Sequence, residues 1–246
     1  FRAMPLILTG LSVATAFKTG LFNIGAPGQY LAGTCATLFI ALSIPSEQVS
    51  PVIIWLLAFL GGMAAGALWG SIPGLLKALL NINEVITAIM FNWIGLYMVN
   101  DIMYGKGKSP MYDLASTKTY SLRKAAPQAM IPSLGMSELF GKLQSVTIAI
   151  FIAIFFAIVV YIILNKTAFG YELRACGANR HAARYAGIHD KRNIVLSMAI
   201  AGALAGAAGS LYYLAGNTEF YWNTYQTLPA AGFNGCLLYT SDAADE

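Results

Sequence analysis

The stretch PVIIWLLAFLGGMAAGALW, Pro51–Trp69, runs nineteen residues without a charged side chain. A hydrocarbon core about 30 Å thick needs roughly 20 mainly apolar residues per helix, so this segment reads as a membrane span. Val146–Leu164 and Ile194–Leu214 have the same character and also lack charges. A fourth stretch, Glu84–Met103, qualifies with Glu84 and Asp101 near its two ends. The N-terminal region is less regular. Pro5–Phe17 and Leu31–Ile44 are each short, and between them lies KTGLFNIGAPGQ, Lys18–Gln29. Short apolar segments interrupted by Gly and Pro are the pattern of broken membrane helices. Irregular backbone at membrane depth survives only where protein or a water-filled cavity satisfies it. The expectation is an all-α polytopic membrane bundle of six segments, with broken helices near the N-terminus.

The composition of the 246-residue chain agrees: 57% hydrophobic, 11% charged, 24 glycines and a mean hydropathy of +0.63. A soluble domain carries about 25% charged residues, so this chain has too few to cover an aqueous surface. That excludes a disordered tail, a disulfide-stapled secreted module and an ordinary cytosolic enzyme. Cys35, Cys176 and Cys236 fall at no metal or redox spacing. Phe1 leads directly into apolar sequence without the charged region of a signal peptide. At the other end CLLYTSDAADE, residues 236–246, resembles a translated sequencing adapter. The expectation is one transmembrane domain over residues 1–235, truncated at both ends, followed by a non-native tail. Without that tail, 15 basic residues face eight acidic ones, a net of +7 rather than +4.

Gly62, Gly66 and Gly70 recur every four residues, as do Gly202 and Gly206, with Ala205 and Gly209 beside them. Small residues at this spacing let helix backbones approach closely in lipid. Static packing is favoured over a sliding interface. Two polar loops separate the later spans. Asp101–Gln144 contains Lys106, Lys108, Lys118, Arg123, Lys124 and Lys142; Asn165–Asn193 contains Lys166, Arg174, Arg180, Arg184, Lys191 and Arg192. Six spans put these loops on opposite faces, with eight basic residues on the face of the second and seven on the other. The positive-inside rule therefore leaves the orientation open.

Little enzymatic chemistry is visible. Gly107-Lys108-Ser109 ends like a phosphate-binding loop, but Ile102 stands where the motif requires glycine. His181 and His189 lie eight apart in a basic loop and read as solvated surface residues. No H-E-x-x-H, G-x-S-x-G or pair of intramembrane carboxylates occurs. Polar groups within the membrane segments carry more information: Asn23, Gln29, Glu84, Thr87 and Asn92. Such groups are costly to bury unpaired and mark candidate functional sites. For Glu84 the plain alternative is a first-turn acid behind an Asn83 cap, complementing the helix dipole. Asn92 and Trp93 lie deeper in the span. Gly170–Ile188 places apolar and basic residues at roughly helical spacing, as in a basic amphipathic helix that lies on anionic lipid or docks on a protein.

Three segments carry a family resemblance: GLFNIGAPGQ (Gly20–Gln29), NEVITAIMFNW (Asn83–Trp93) and the Gly170–Ile188 loop. In this order they resemble the permease subunits of ABC importers, in the simple-sugar and nucleoside branch related to branched-chain amino-acid permeases. The resemblance covers residues 1–235. Pro27 departs from it, standing where the nucleoside-type motif usually has Glu. The resemblance implies transport of nucleosides or related sugars, with branched-chain amino-acid or ribose-type import as the alternative. An ion-coupled secondary transporter and a membrane-embedded enzyme are more distant rivals. It implies no cofactor in this chain, ATP and Mg being held by separate ATPase subunits. It also implies a second permease subunit, an extracellular solute-binding lipoprotein and no nucleic acid. Asn165–Asn193 would then be cytoplasmic, with Arg174, Gly177, Asn179, Arg184 and Gly187 in the coupling segment that docks on the ATPase. Asp101–Gln144 would face the solute-binding protein. Asn23, Gln29, Thr87, Asn92 and Trp93 would belong to the substrate pathway.

Overall fold

A computed structural model describes residues 3–44, 49–104, 112–113, 118–132, 148–216, 218–220, 228–232 and 234. The tail 236–246, the Gly107-Lys108-Ser109 tripeptide, Lys106, Lys108 and Lys142 lie outside the described residues. The chain is a helical membrane bundle. Its elements are α1 (Ala3–Phe17), α2 (Ala26–Ser43), α3 (Pro51–Leu80), α4 (Glu84–Tyr104), α5 (Leu122–Ala125), α6 (Ala149–Lys166), α7 (Ala168–Ala178), α8 (Arg180–Tyr185) and α9 (Asp190–Leu214). The two-residue strands β1 (Tyr112–Asp113) and β2 (Lys118–Thr119) pair antiparallel. Four helices, α3, α4, α6 and α9, are long and apolar enough to cross a membrane; α1 is apolar but shorter.

Two expected boundaries move. The first helix of the Gly-Pro region starts at Ala26 rather than Leu31, with Pro27 in its first turn. A proline there is tolerated because the first-turn N–H groups have no helical acceptor. The break falls earlier, at Lys18–Gly25. In α3 the helix continues past Trp69 to Leu80, through Gly70, Pro73 and Gly74. These residues look like helix breakers, but Gly70 and Gly74 lie against Met198 of α9. They are small because a neighbour is close. Thirty residues at 1.5 Å each span about 45 Å, so α3 extends beyond the hydrocarbon into the headgroup zone.

Helix α9 is the centre of the bundle and is buried along most of its length. Its contact with α2 and α3 is made of backbone. A Cβ on Gly206 would lie 2.5 Å from the Gly62 carbonyl oxygen, and one on Gly33 would lie 2.5 Å from Gly206 Cα. A Cβ on Gly66 would lie 2.8 Å from Gly206 Cα and overlap the Gly202 oxygen. Carbon atoms pack at about 3.5–4.0 Å, so no side chain fits at any of these points. Thr37 and Ser210 share a hydrogen bond of 2.7 Å beside the glycines.

The depth order is consistent across the bundle. Thr19 donates to Ser197 Oγ (2.8 Å) near the start of α9, while Ile131 N donates to the Leu214 carbonyl (3.0 Å) at its end. Lys77 and Asn81, at the α3–α4 turn, share a cavity with Arg180, Arg184 and Asp190. At the opposite end, Thr119 N donates to Phe220 O (3.0 Å) and Tyr104 Oη to the same oxygen (2.6 Å). The described parts of the two polar loops thus sit at opposite ends.

Candidate functional site

Helix α1 ends within the bundle on a glycine stop. Gly20 adopts φ +72°, the Gly20 N–H bonds the Phe17 carbonyl (2.9 Å) and the Leu21 N–H bonds the Ala16 carbonyl (3.1 Å). This is the Schellman closure, which needs a left-handed residue and so favours glycine. The chain then runs irregularly to Gly25 through the buried residues Leu21 and Asn23. Leaving such backbone unpaired would cost about 1–3 kcal/mol per group. Two amide side chains, Asn23 and Asn92, bond this backbone, and a third, Gln29, holds Asn23 in place.

Asn23 and Gln29 form a reciprocal pair. Asn23 Nδ2 donates to Gln29 Oε1 (2.9 Å), and Gln29 Nε2 donates back to Asn23 Oδ1 (2.9 Å). Asn23 Nδ2 also donates to Ser12 Oγ (3.1 Å), and its Oδ1 accepts from Gly25 N (3.2 Å). From α4, Asn92 Oδ1 accepts from Gly28 N (2.9 Å) and Asn92 Nδ2 donates to the Ile24 carbonyl (2.9 Å). All three amides are almost completely buried. They knot the broken segment to α1, α2 and α4.

The structure thus brings Asn23, Gln29 and Asn92 together, but not Thr87 and Trp93. Thr87 Oγ1 donates to the Asn83 carbonyl one turn back (2.9 Å). Trp93 lies on the outer face of α4, 43% exposed and stacked on Tyr97 with ring centroids 6.5 Å apart. Asn83 caps α4 by accepting from Val85 N (2.9 Å), and Glu84 pairs with Lys77 (2.9 Å). Pro27 lies against Gly232, so the departure from the family motif puts an apolar ring in the first turn of α2. Ser12, with no motif around it, was not legible as a member of the cluster. The same holds for the backbone groups of Ile24 and Gly28.

Replacing Asn92 with leucine would orphan both Gly28 N–H and Ile24 C=O. The expected loss is about 2–5 kcal/mol, read as a lower thermal midpoint of the detergent-purified protein. Trp93→Leu, at the adjacent exposed position, should leave the midpoint nearly unchanged. Equal effects of the two would show that the knot does not hold the bundle.

At one end of the bundle, the segment expected as one amphipathic helix divides into α7 and α8. Asn179 is extended (φ −158°, ψ 107°), and its Oδ1 accepts from Ala182 N (3.1 Å), capping α8. Thr167 caps α7 in the same way, accepting from Gly170 N (3.1 Å). Gly187 (φ +81°) closes α8 with a second Schellman pair, Gly187 N to Arg184 O (3.1 Å) and Ile188 N to Ala183 O (3.0 Å). Arg184 pairs with Asp190 of α9 (2.7 Å), and Asn193 Nδ2 donates to Glu172 Oε2 (3.0 Å). Burial pushes the Cys176 thiol up from its ordinary pKa, so it is not an activated nucleophile. Arg174 is exposed on α7.

Gly177 joins the two regions. A Cβ there would lie 2.5 Å from the Lys18 carbonyl oxygen and 3.1 Å from Gly20 N. Helix α7 therefore bears directly on the glycine stop that precedes the amide knot. Among the described residues no cluster of His, Cys, Asp and Glu is arranged to hold a metal ion.

The family described as branched-chain amino acid transport system, permease component, matches residues 1–238. The chain is 39% identical over 235 residues to the guanosine ABC transporter permease protein NupP of Bacillus subtilis, covering 95% of this chain and 63% of that one. It is 40% identical over 208 residues to the nucleoside ABC transporter permease protein NupB of Lactococcus lactis, covering 85% and 56%. The glucose ABC transporter permease protein TsgB13 of Haloferax volcanii is 31% identical over 220 residues, covering 88% and 56%. The chain thus spans rather more than half the length of these relatives. No solved structure matches it.

Proposed function

The chain belongs to the branched-chain amino acid transport system permease family, and on that premise we propose that it is the membrane-spanning subunit of an ATP-driven ABC importer for nucleosides or related simple sugars. The nucleoside reading rests on the similarity to the guanosine and nucleoside permeases over 85% or more of this chain. The glucose permease supports the sugar alternative at lower identity. In this reading the chain performs no catalysis of its own. Two ATPase subunits hold and hydrolyse ATP, a second permease subunit completes the pathway, and a solute-binding lipoprotein delivers substrate at the face of the 101–144 loop. The assembly sits in the cytoplasmic membrane, with α7 and α8 on the ATPase side.

One observation carries the mechanism: the backbone contact of Gly177 with Lys18–Gly20. Closure of the ATPases displaces α7, α7 displaces the glycine stop, and the stop leads into Asn23. Asn23, Gln29 and Asn92 hold the broken segment in a defined shape, Thr87 sits one turn from the α4 start, and Trp93 offers an aromatic face to the pathway on the exposed side of α4. Arg174, Asn179, Arg184 and Gly187 shape the docking surface through exposure, cap, ion pair and turn. A ligand shifts such an equilibrium only by its differential affinity for the two states, so free solute should bind the permease weakly.

The test is uptake by proteoliposomes containing the full-length protein with its ATPase and second permease subunits. Labelled guanosine and adenosine should accumulate with ATP inside and binding protein outside, ahead of ribose, glucose and leucine. Accumulation driven by an ion gradient in vesicles without ATPase subunits would replace this reading with secondary transport.

A further inference from the structure

Where α3 turns into α4 and meets α8 and the start of α9, a cavity of about 330 Å³ opens to the surface. Its walls carry Lys77, Arg180, His181, Arg184 and Lys191, against the single carboxylate of Asp190. Lys77 is matched by Glu84 (2.9 Å) and Arg184 by Asp190 (2.7 Å). Arg180 and Lys191 have no carboxylate within ion-pairing distance among the described residues. The cavity therefore keeps an uncompensated positive charge of about two. Its rim is apolar: Leu79 lines it at 65% exposure, and Leu80 and Ile82 beside it are 64% and 42% exposed. These side chains lie at the end of a helix long enough to emerge from the hydrocarbon.

We propose that this cavity binds the phosphodiester headgroup of one anionic phospholipid, with the acyl chains lying along Leu79, Leu80 and Ile82. A phosphodiester carries one negative charge, so it offsets part of the charge left by Arg180 and Lys191, and its two free oxygens can accept from both; Asn81 supplies a neutral polar wall. Basic recesses between membrane helices recognise acidic headgroups in this way. A soluble phosphate would match the charge but leave the apolar rim bare, and a protein carboxylate would make no use of its position at the membrane boundary. The cavity shares Arg184 with the proposed docking surface, but the lipid assignment rests on charge and position and not on the transport reading.

The experiment titrates the full-length, detergent-purified protein with dihexanoyl phosphatidylglycerol, dihexanoyl phosphatidylcholine and glycerol phosphate, reading bound ligand by native mass spectrometry. Phosphatidylglycerol should bind about tenfold or more tightly than either of the others, and Arg180→Gln with Lys191→Gln should abolish the difference. Both side chains are at least partly exposed, so the double variant should fold; its thermal midpoint checks this. Lys166→Gln with Arg192→Gln removes two exposed cations outside the cavity lining and should change nothing. Equal binding of phosphatidylcholine, equal binding of glycerol phosphate, or equal loss in the Lys166/Arg192 variant would each overturn the proposal. So would a Gln variant that keeps phosphatidylglycerol yet no longer co-purifies with the ATPase, since the cavity would then serve a protein carboxylate.

Discussion

Gly177→Leu is expected to cut ATP-driven uptake about tenfold or more while ATP hydrolysis by the assembled complex persists. The position tolerates no side chain, because even a Cβ would lie 2.5 Å from the Lys18 carbonyl. Leucine must push α7 away from the Lys18–Gly20 turn, and neither partner can yield by rotating a side chain. The outer surface of α7 and α8 remains for the ATPase to grip, since Asn179 still sets the division between α7 and α8 and Gly187 the turn between α8 and α9. Binding and hydrolysis would survive; transmission would not. Uptake and phosphate release measured in the same vesicles check this. A parallel fall in both would point to lost assembly, and unchanged uptake would remove Gly177 from the transmission path. Arg184→Glu, which sets two carboxylates against each other at Asp190, should uncouple in the same direction from the other side of the turn.

The second large effect concerns the seam of α2, α3 and α9. Gly66→Leu should destabilise the protein by about 3 kcal/mol or more, at or beyond the upper end for overpacking, because the obstructing atoms belong to the Gly202 and Gly206 backbone. The readouts are the monodisperse fraction after extraction and the thermal midpoint. Gly61→Leu is the matched control. Five residues away on the same helix, a new side chain would meet only the flexible end of Ile40, and the loss should be small. Similar losses at both positions would show that the helices are not in backbone contact.

Much of this architecture was legible because the membrane imposes a simple rule. Charge-free runs such as Val146–Leu164 and Ile194–Leu214 emerge as α6 and α9 within a few residues of their expected bounds. The four-residue glycine spacing marked α3 and α9 as helices that pack closely, and the structure shows that those glycines interlock with one another. Gly33, on the third helix of the seam, has no glycine four residues to either side to announce it. Helix ends were harder to read. Pro73 and Gly74 look like a terminus in sequence, but close contact with α9 explains the small residues there while the helix continues. Conversely, the division at Asn179 depends on a side-chain cap that competes with an otherwise continuous helical pattern.

The candidate site was half legible. Polar residues placed in apolar runs drew attention to Asn23, Gln29 and Asn92, and they converge. Asn92 and Trp93 share a depth in the span, but neighbours on a helix point about 100° apart, so Trp93 lies on the exposed face of α4 rather than in the amide cluster. The coupling-segment residues came from a family resemblance. What the structure adds is a local physical reason for most of them: a close approach at Gly177, a cap at Asn179, an ion pair at Arg184 and a left-handed turn at Gly187. Ser12 and the contact between Gly20 and Gly177 had no sequence signal, because each depends on residues that meet only after the bundle has closed.

The glycine seam also bears on how the protein is made. Gly206 is synthesised 173 residues after Gly33. At about 5–20 residues per second, the interval is on the order of ten to thirty seconds. Throughout it, the bare backbone stripes of α2 and α3 have no α9 to receive them. Insertion machinery or other lipid-embedded chaperones would have to shelter those helices until the last partner arrives. A ribosome paused before α9 would leave a fully inserted chain without its centre, open to membrane proteases. The vulnerability of this protein thus lies in its biogenesis, in the delay before a late helix meets two early ones.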